Sequence, residues 1–318
     1  MRREGSALHG FGVVTLKEVA DHFTSILVVV LVVLVVATAV AVVRGAVDQI
    51  KEITAEDPFL FLRLFAPPGQ SLLSFVLVLS ILVPLISIAL GFDSVNGEYN
   101  RRTMSRILAQ PIYRDALLFG KFLAGLATLS ICLITLWLLV IGFGLIRLGI
   151  PPNGEELGRL LIFLLVTIAY AGVWLALAML LSILVRSTAT AALSALGLWL
   201  FLALLWPAVA QMVGEAISPS DLRFAQLGLP TPATLAWQQG LSRLSPGTLY
   251  LESLLALLNP DSQTMTTLLA QFQGRIPSPL PLNESILQVW PQIVSLIAGT
   301  IVLYVIGYIA FQRQEVRA

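Results

Sequence analysis

The 318-residue chain is 57% hydrophobic and only 12% charged, with a mean hydropathy of +0.90, which excludes an ordinary water-soluble domain: no such fold has room to hide that much apolar surface. The 19 Lys and Arg against 18 Asp and Glu leave a net charge of +1, so no overall field draws nucleic acid, and charge is informative only by position. Cys132 is the single cysteine and lies in an apolar run, and His9 and His22 are not spaced as a metal-binding pair; neither an intrachain disulfide nor a metal cluster is expected.

In chain order, residues 1–24 come first as a cytoplasmic interfacial helix. Leu16, Val19, Ala20 and Phe23 repeat at helical spacing, with Lys17, Glu18, Asp21 and His22 on the other face. Thr15 and Glu18 stand as a capping box at its start. A disordered basic tail is the other reading of this stretch. Six windows free of Asp, Glu, Lys, Arg and His follow: Ser25 to Val43, Ser71 to Phe92, Phe122 to Ile146, Leu160 to Val185, Ser187 to Val213 and Ser285 to Gln312. Each is long enough to cross a hydrocarbon core as a helix, the form in which a span satisfies its own backbone. The ten-residue alternation of a transmembrane barrel is absent. Ala37-Thr38-Ala39 resembles a signal cleavage site, but the stretch before the apolar core is long and carries acids, unlike a signal peptide. Pro84 and Pro207 fall inside two windows, where each removes one helical hydrogen bond and is expected to bend or locally open its helix; Pro291 lies near the start of the last.

The fold expected is therefore all-α: a single transmembrane domain of six spans, with spans one to five within 25–213, span six at 285–312 and a cytoplasmic tail at 313–318. With six spans both termini share one side. That side would carry eleven of the nineteen basic residues in short segments, against eight spread over longer ones, so the termini are expected in the cytoplasm of a multi-pass plasma (inner) membrane protein.

Between spans two and three, residues 93–121 hold five basic residues, Arg101, Arg102, Arg106, Arg114 and Lys121, with Glu98, Asp115 and Pro111. Ile107, Leu108 and Ala109 sit between charged flanks, which suits a short helix on the membrane surface or docked on another protein, ended by Pro111. The alternative is a basic anchor with no partner. Residues 214–284 form the large extracytoplasmic loop, with eight of the seventeen prolines and five acids against three arginines. Within it Leu249 to Leu258 is too short to span and reads as an interfacial or re-entrant helix. Asn283-Glu284-Ser285 matches a glycosylation sequon beside a span, which is read as chance.

No window carries an ionisable group of the kind ion-coupled transporters use at mid-membrane, nor the acid pairs, His clusters or Ser–base pairs of intramembrane enzymes. Gly120-Lys121 lacks the upstream glycine and following hydroxyl of a phosphate-binding loop. The chain is thus read as no enzyme and without a cofactor of its own, so work on a solute would draw its energy from a partner.

Gly97, Glu98, Thr103, Ile107, Leu108, Pro111, Arg114, Gly120 and Lys121, in order and spacing, resemble the signature between spans two and three of ABC-2 type permeases. The Lys17-Glu18 helix, the loop with Leu244-Ser245-Pro246 and the basic ending Phe311 to Arg317 extend the resemblance over nearly the whole chain. Arg102 and Met104 depart from it, where the family often has glycine and leucine. The branch it looks most like includes the nitrous oxide reductase maturation permeases and the sodium or multidrug exporters.

The resemblance implies a permease subunit of an ATP-driven ABC transporter, an exporter. Its partners would be two cytoplasmic ATPase subunits, which would hold ATP and Mg, and a second copy or homologous permease, with lipid around them and no nucleic acid. Glu98, Arg101, Arg102, Thr103, Arg106, Leu108, Pro111, Arg114 and Lys121 would belong to the segment that couples to the ATPase. The outer loop would cap the pathway, and Leu254 and Leu255, in its apolar run, are the gate candidates. A membrane scaffold or assembly factor without transport, and a secondary transporter, are the alternative functions.

Overall fold

The computed structural model describes residues 10–50, 59, 61–65, 75–104, 113–149, 151–218, 231–258 and 281–313. They form helices without strands: α1 (Phe11–Thr24), α2 (Ile26–Ile50), α3 (Phe75–Gly91), the short α4 (Asn96–Asn100), α5 (Arg114–Leu148) and α6 (Gly154–Leu184). After these come α7 (Thr188–Ile217), α8 (Pro232–Ser242), α9 (Pro246–Leu258) and α10 (Leu282–Arg313). Five helices are long and apolar enough to cross a membrane, namely α3 continued through α4, α5, α6, α7 and α10. A sixth span is reached if Phe11–Thr24 and Val28–Ala41, bent by 64° from each other, count as one.

Local chemistry sets several helix ends. Asn153 and Glu156 form a reciprocal capping box at the start of α6. Ser187 and Thr231 cap α7 and α8 through their hydroxyls. Gly149, at φ 70°, closes α5 in the left-handed conformation glycine adopts without strain. The expected Thr15–Glu18 box is not formed. The helix begins a turn earlier, after Gly10 at φ 91°, the Thr15 hydroxyl donates to the Phe11 carbonyl, and the Glu18 carboxylate is engaged by another helix.

At the centre is α6, which packs against α3, α5, α7, α9 and α10. Tyr170, Trp174, Phe163 and Val166 along it are fully buried. α10 runs parallel to α6, Gly158 facing Leu282, Gly172 facing Thr300 and Gly307 facing Ile183. By contrast α7 exposes Leu193, Leu204, Leu205 and Met212, an apolar flank suited to lipid.

The segment after α7 folds back among the spans. Gly214, near the end of α7, faces Thr234 and Gln238 of α8. At the other end of α8, the Trp206 Nε1 donates to the Leu241 carbonyl at 2.9 Å. So α8 retraces α7 to its middle. α9 then returns: Tyr250 lies beside Thr167 and Tyr170 halfway along α6, and the Leu257 carbonyl accepts from Arg159 near the start of α6. α8 and α9 thus form a re-entrant hairpin whose tip, Arg243 to Ser245, is level with the middle of α6 and α7. The six apolar windows carry no charged residue by sequence, but the hairpin brings Arg243 and Glu252 to span depth, against the expectation that no ionisable group lies there.

Two prolines open carbonyls that neighbouring elements meet, one from α6 and one from this hairpin. Pro84 has no amide hydrogen for the Ser80 carbonyl, and the Tyr170 hydroxyl donates to that oxygen at 3.1 Å. In α7, residues Phe201–Leu205 widen into a π-turn in which the Trp206 amide bonds back to Phe201. Pro207 follows and cannot serve Leu202, whose carbonyl instead accepts from the Ser245 hydroxyl at 3.1 Å. The opening expected at Pro84 and Pro207 is therefore filled by a hydroxyl in each case. Tyr170 in turn stacks on Tyr250 with ring centroids 4.2 Å apart.

Candidate functional site

At the end of the bundle that carries α1 and α4, here the basal end, one ammonium joins three helices. Lys121, the last residue of the sequence signature and about two turns into α5, has a side chain only 5% exposed. Its Nζ lies 3.0 Å from the Glu18 Oε1 of α1 and 2.5 Å from the Glu98 Oε1 of α4. In a medium of reduced dielectric each attraction is worth far more than on a surface, and each group is costly to leave alone. Burial alone would raise the Glu18 carboxyl, but Lys121 and then Lys17 outweigh it and hold it below its ordinary value.

α1 presents its polar stripe to this centre. Val14, Glu18 and His22, at four-residue intervals, face α5, while Val13 and Leu16 point outward. Of the polar residues that the sequence pattern sets opposite the apolar stripe, Glu18 and His22 are thus turned into the protein, while Lys17 and Asp21 stay exposed. The His22 Nδ1 is 3.1 Å from the Thr128 hydroxyl, whose own hydrogen goes to the Ala124 carbonyl, so the imidazole is the donor. Burial pushes His22 below its ordinary value, Lys121 adding to this against the opposing pull of Glu18. Gly120 lets the contact form: a Cβ there would meet the Val14 side chain at 2.9 Å.

α4 is bolted to the basal end of α6. The Ser182 hydroxyl accepts from the amides of Val95 and Asn96, both at 3.1 Å. The Asn96 Nδ2 donates to the Val185 carbonyl at 3.2 Å and the Asn100 Nδ2 to that of Arg186 at 3.3 Å. The Thr103 amide and hydroxyl both return to the Glu98 carbonyl, closing the turn after α4. Arg101 pairs with Asp93 at 2.9 Å on the surface. Arg102 adopts φ 57°, a left-handed conformation that costs an L-residue about 1–2 kcal/mol. A cavity of about 310 Å³ opens beside these groups, lined among others by Asp21, Asp93, Arg101 and Lys121.

Of the coupling residues expected from sequence, Glu98 and Lys121 meet directly, Thr103 braces Glu98, Arg101 and Arg102 lie on the exposed turn, and Arg114 opens α5. Arg106, Leu108 and Pro111 lie outside the described residues. Sequence reasoning missed Glu18 as the second partner of Lys121, and Ser182, Asn96 and Asn100 as the clamp on α6. The capping-box pattern had absorbed Glu18, and the clamp residues carry no pattern a single sequence displays. The gate candidates separate: Leu254 is fully buried against the bundle, while Leu255 is 55% exposed.

A second buried cation marks the opposite end. Arg159, fully buried, donates to the Leu257 carbonyl and the Ser285 hydroxyl, both at 3.1 Å, and pairs with Glu155 at 2.9 Å. It thereby joins α6 to the end of α9 and the start of α10, with the Phe59 ring 5.4 Å away. Ser285, the last residue of the sequon, is spent on this contact.

The chain matches the family described as ABC-2 family transporter protein over residues 13–316. It is similar to the probable ABC transporter permease protein NosY of Pseudomonas aeruginosa, 38% identical over 131 residues, which is 39% of this chain and 46% of that protein. The protein of the same name from Stutzerimonas stutzeri is 33% identical over 134 residues, 40% of this chain and 46% of its own length. The aligned stretch spans less than half of either relative. The family match, by contrast, takes in the apolar helices, the basal charge centre and the re-entrant hairpin together, and on it this protein belongs to the ABC-2 transporter family.

Proposed function

We propose that the chain is the membrane-spanning permease subunit of an ATP-driven exporter in the plasma (inner) membrane, with the basal end and both termini cytoplasmic. ATP and Mg belong to a separate ATPase seated on residues 93–121, and a second copy or homologous permease completes the pathway. The relatives named as probable ABC transporter permeases support this reading, as does the gathering of basic residues at the basal end.

The observation that carries it is the burial of Lys121 between Glu18 and Glu98. A merely anchoring loop would need only exposed bases beneath the headgroups. Here α4 is bonded to α6 and, through Lys121, to α1 and α5, so a push on the segment from a closing ATPase reaches several spans at once. The hairpin acts as the cap on the far side, with Leu255 on its exposed face and Leu254 holding it to the bundle.

The test is affinity capture of the tagged chain followed by assay of ATP hydrolysis. A nucleotide-binding protein should be captured with wild type and with Arg275→Glu, and lost with Leu108→Asp or Arg106→Glu, since truncating a docked contact costs about 2–5 kcal/mol. Equal capture by all four, or by none, contradicts the reading.

A further inference from the structure

The hairpin carries a polar group that neither the coupling centre nor the far-end clamp uses. The Arg243 Nε lies 2.9 Å and 3.3 Å from the two oxygens of Glu252, and the Gln292 Nε2 donates to Glu252 Oε2 at 3.2 Å. Both carboxylate oxygens are thus taken on one nitrogen. The two terminal amino groups of Arg243, the pair that forms the usual fork toward an oxyanion, make no hydrogen bond among the described residues. The side chain of Arg243 is 50% exposed and that of Glu252 29%. Gln292 is nine-tenths buried, yet its Oε1 has no hydrogen-bond partner among the described residues. Exposed Gln239 precedes Arg243 by one turn on α8.

Depth makes this arrangement informative. Ser245, beside Arg243, bonds to Leu202 in the middle of α7, and Gln292 lies about 10 Å along α10 from the far-end Ser285 at 1.5 Å per residue. A half-exposed ion pair at such depth is costly against hydrocarbon, so it calls for water, a ligand or another polar surface beside it. A purely structural pair would turn its guanidinium fork inward and leave no buried carbonyl oxygen unmet.

We propose that Arg243, Glu252 and Gln292 form a binding site for the transported solute. It takes a carboxylate or phosphate group on the terminal amino groups of Arg243, with a neighbouring hydroxyl or amine hydrogen given to Gln292 Oε1. Glu252 holds the guanidinium in place and competes with the ligand's anion. Only the identification of the ligand as cargo rests on the permease reading; binding itself does not require an ATPase.

The experiment titrates mandelate and phenylacetate, which differ by one hydroxyl beside the carboxylate, into the purified full chain in nanodiscs by calorimetry. Both should bind saturably and mandelate more tightly. Arg243→Gln should weaken both by about tenfold or more, Gln292→Leu should abolish the preference for mandelate, and Glu252→Gln should strengthen both by removing the competing carboxylate. Absence of saturable binding, or equal binding by wild type and Arg243→Gln, overturns the proposal. Dissociation of an oligomer by Arg243→Gln without added acid would also overturn it, assigning the pair to an interface between copies. Failure to capture an ATPase would defeat the permease reading and leave these titrations standing.

Discussion

Lys121 shows how one residue can fix the order of three helices. Breaking such a buried pair from one side costs about 3–5 kcal/mol, because the remaining charges stay buried without a counterion. Its neighbour His22 gives the centre a pH dependence whose sign follows from burial. A folded value lowered below the ordinary one means that protonation favours the undocked helix. The contribution is present above about pH 6.5 and is lost as the pH falls toward the lowered value. Glu18, also lowered, contributes above the ordinary carboxylate range and loses its part at still lower pH. Thermal unfolding followed from pH 8 to 5 should therefore show stability falling below about 6.5, and His22→Gln should flatten that fall. An unchanged slope in the variant would remove His22 from the account. Glu98 and Lys121 were legible in the sequence as two positions of one signature. Glu18 was not, because its partner is distant in the chain and its spacing from Thr15 imitates a capping box, whereas the helix begins a turn earlier, at Phe11.

At the scale of elements, the mid-span prolines are docking points, Pro84 for α6 and Pro207 for the hairpin. Tyr170 and Ser245 each give a hydrogen to a carbonyl that a proline has left without one. Tyr170→Phe should cost about 1 kcal/mol by leaving the Ser80 oxygen unmet. Pro84→Ala restores an amide donor to that oxygen, so in the Tyr170→Phe background it should recover most of the loss. Unfolding of the single and double variants in mixed micelles reads this directly, and losses that simply add would rule out the shared carbonyl. Pro84 and Pro207 announced the openings from sequence alone, and the apolar run in 249–258 announced a helix that could not span. What filled the openings was hidden, because a hydroxyl in an apolar run signals nothing until packing brings it to its acceptor. Arg159 was hidden in the same way: it counted as one outward base, whereas burial makes it the clasp of α6, α9 and α10.

Across the whole molecule, α6 links the two ends. Ser182 and Val185 hold α4 at its basal end, Tyr170 and Thr167 hold the hairpin at its middle, and Arg159 holds α9 and α10 at its far end. A plan of five to six spans was readable from charge-free windows because lipid imposes length and composition on every span. The folding of α8 back along α7 was not, since nothing in the sequence of residues 214–284 marks that neighbour. In the proposed function the Lys121 centre carries motion of the ATPase-coupled segment to the far end. The most direct test of this uses Leu255→Cys in a Cys132→Ser background, with the captured ATPase bound, and measures the rate of labelling by an impermeant thiol reagent before and after trapping with ATP and vanadate. Trapping should change the rate when Lys121 is present and leave it unchanged in Lys121→Met, although the ATPase remains bound and hydrolyses ATP. The same nucleotide-dependent change in both proteins would contradict the claim.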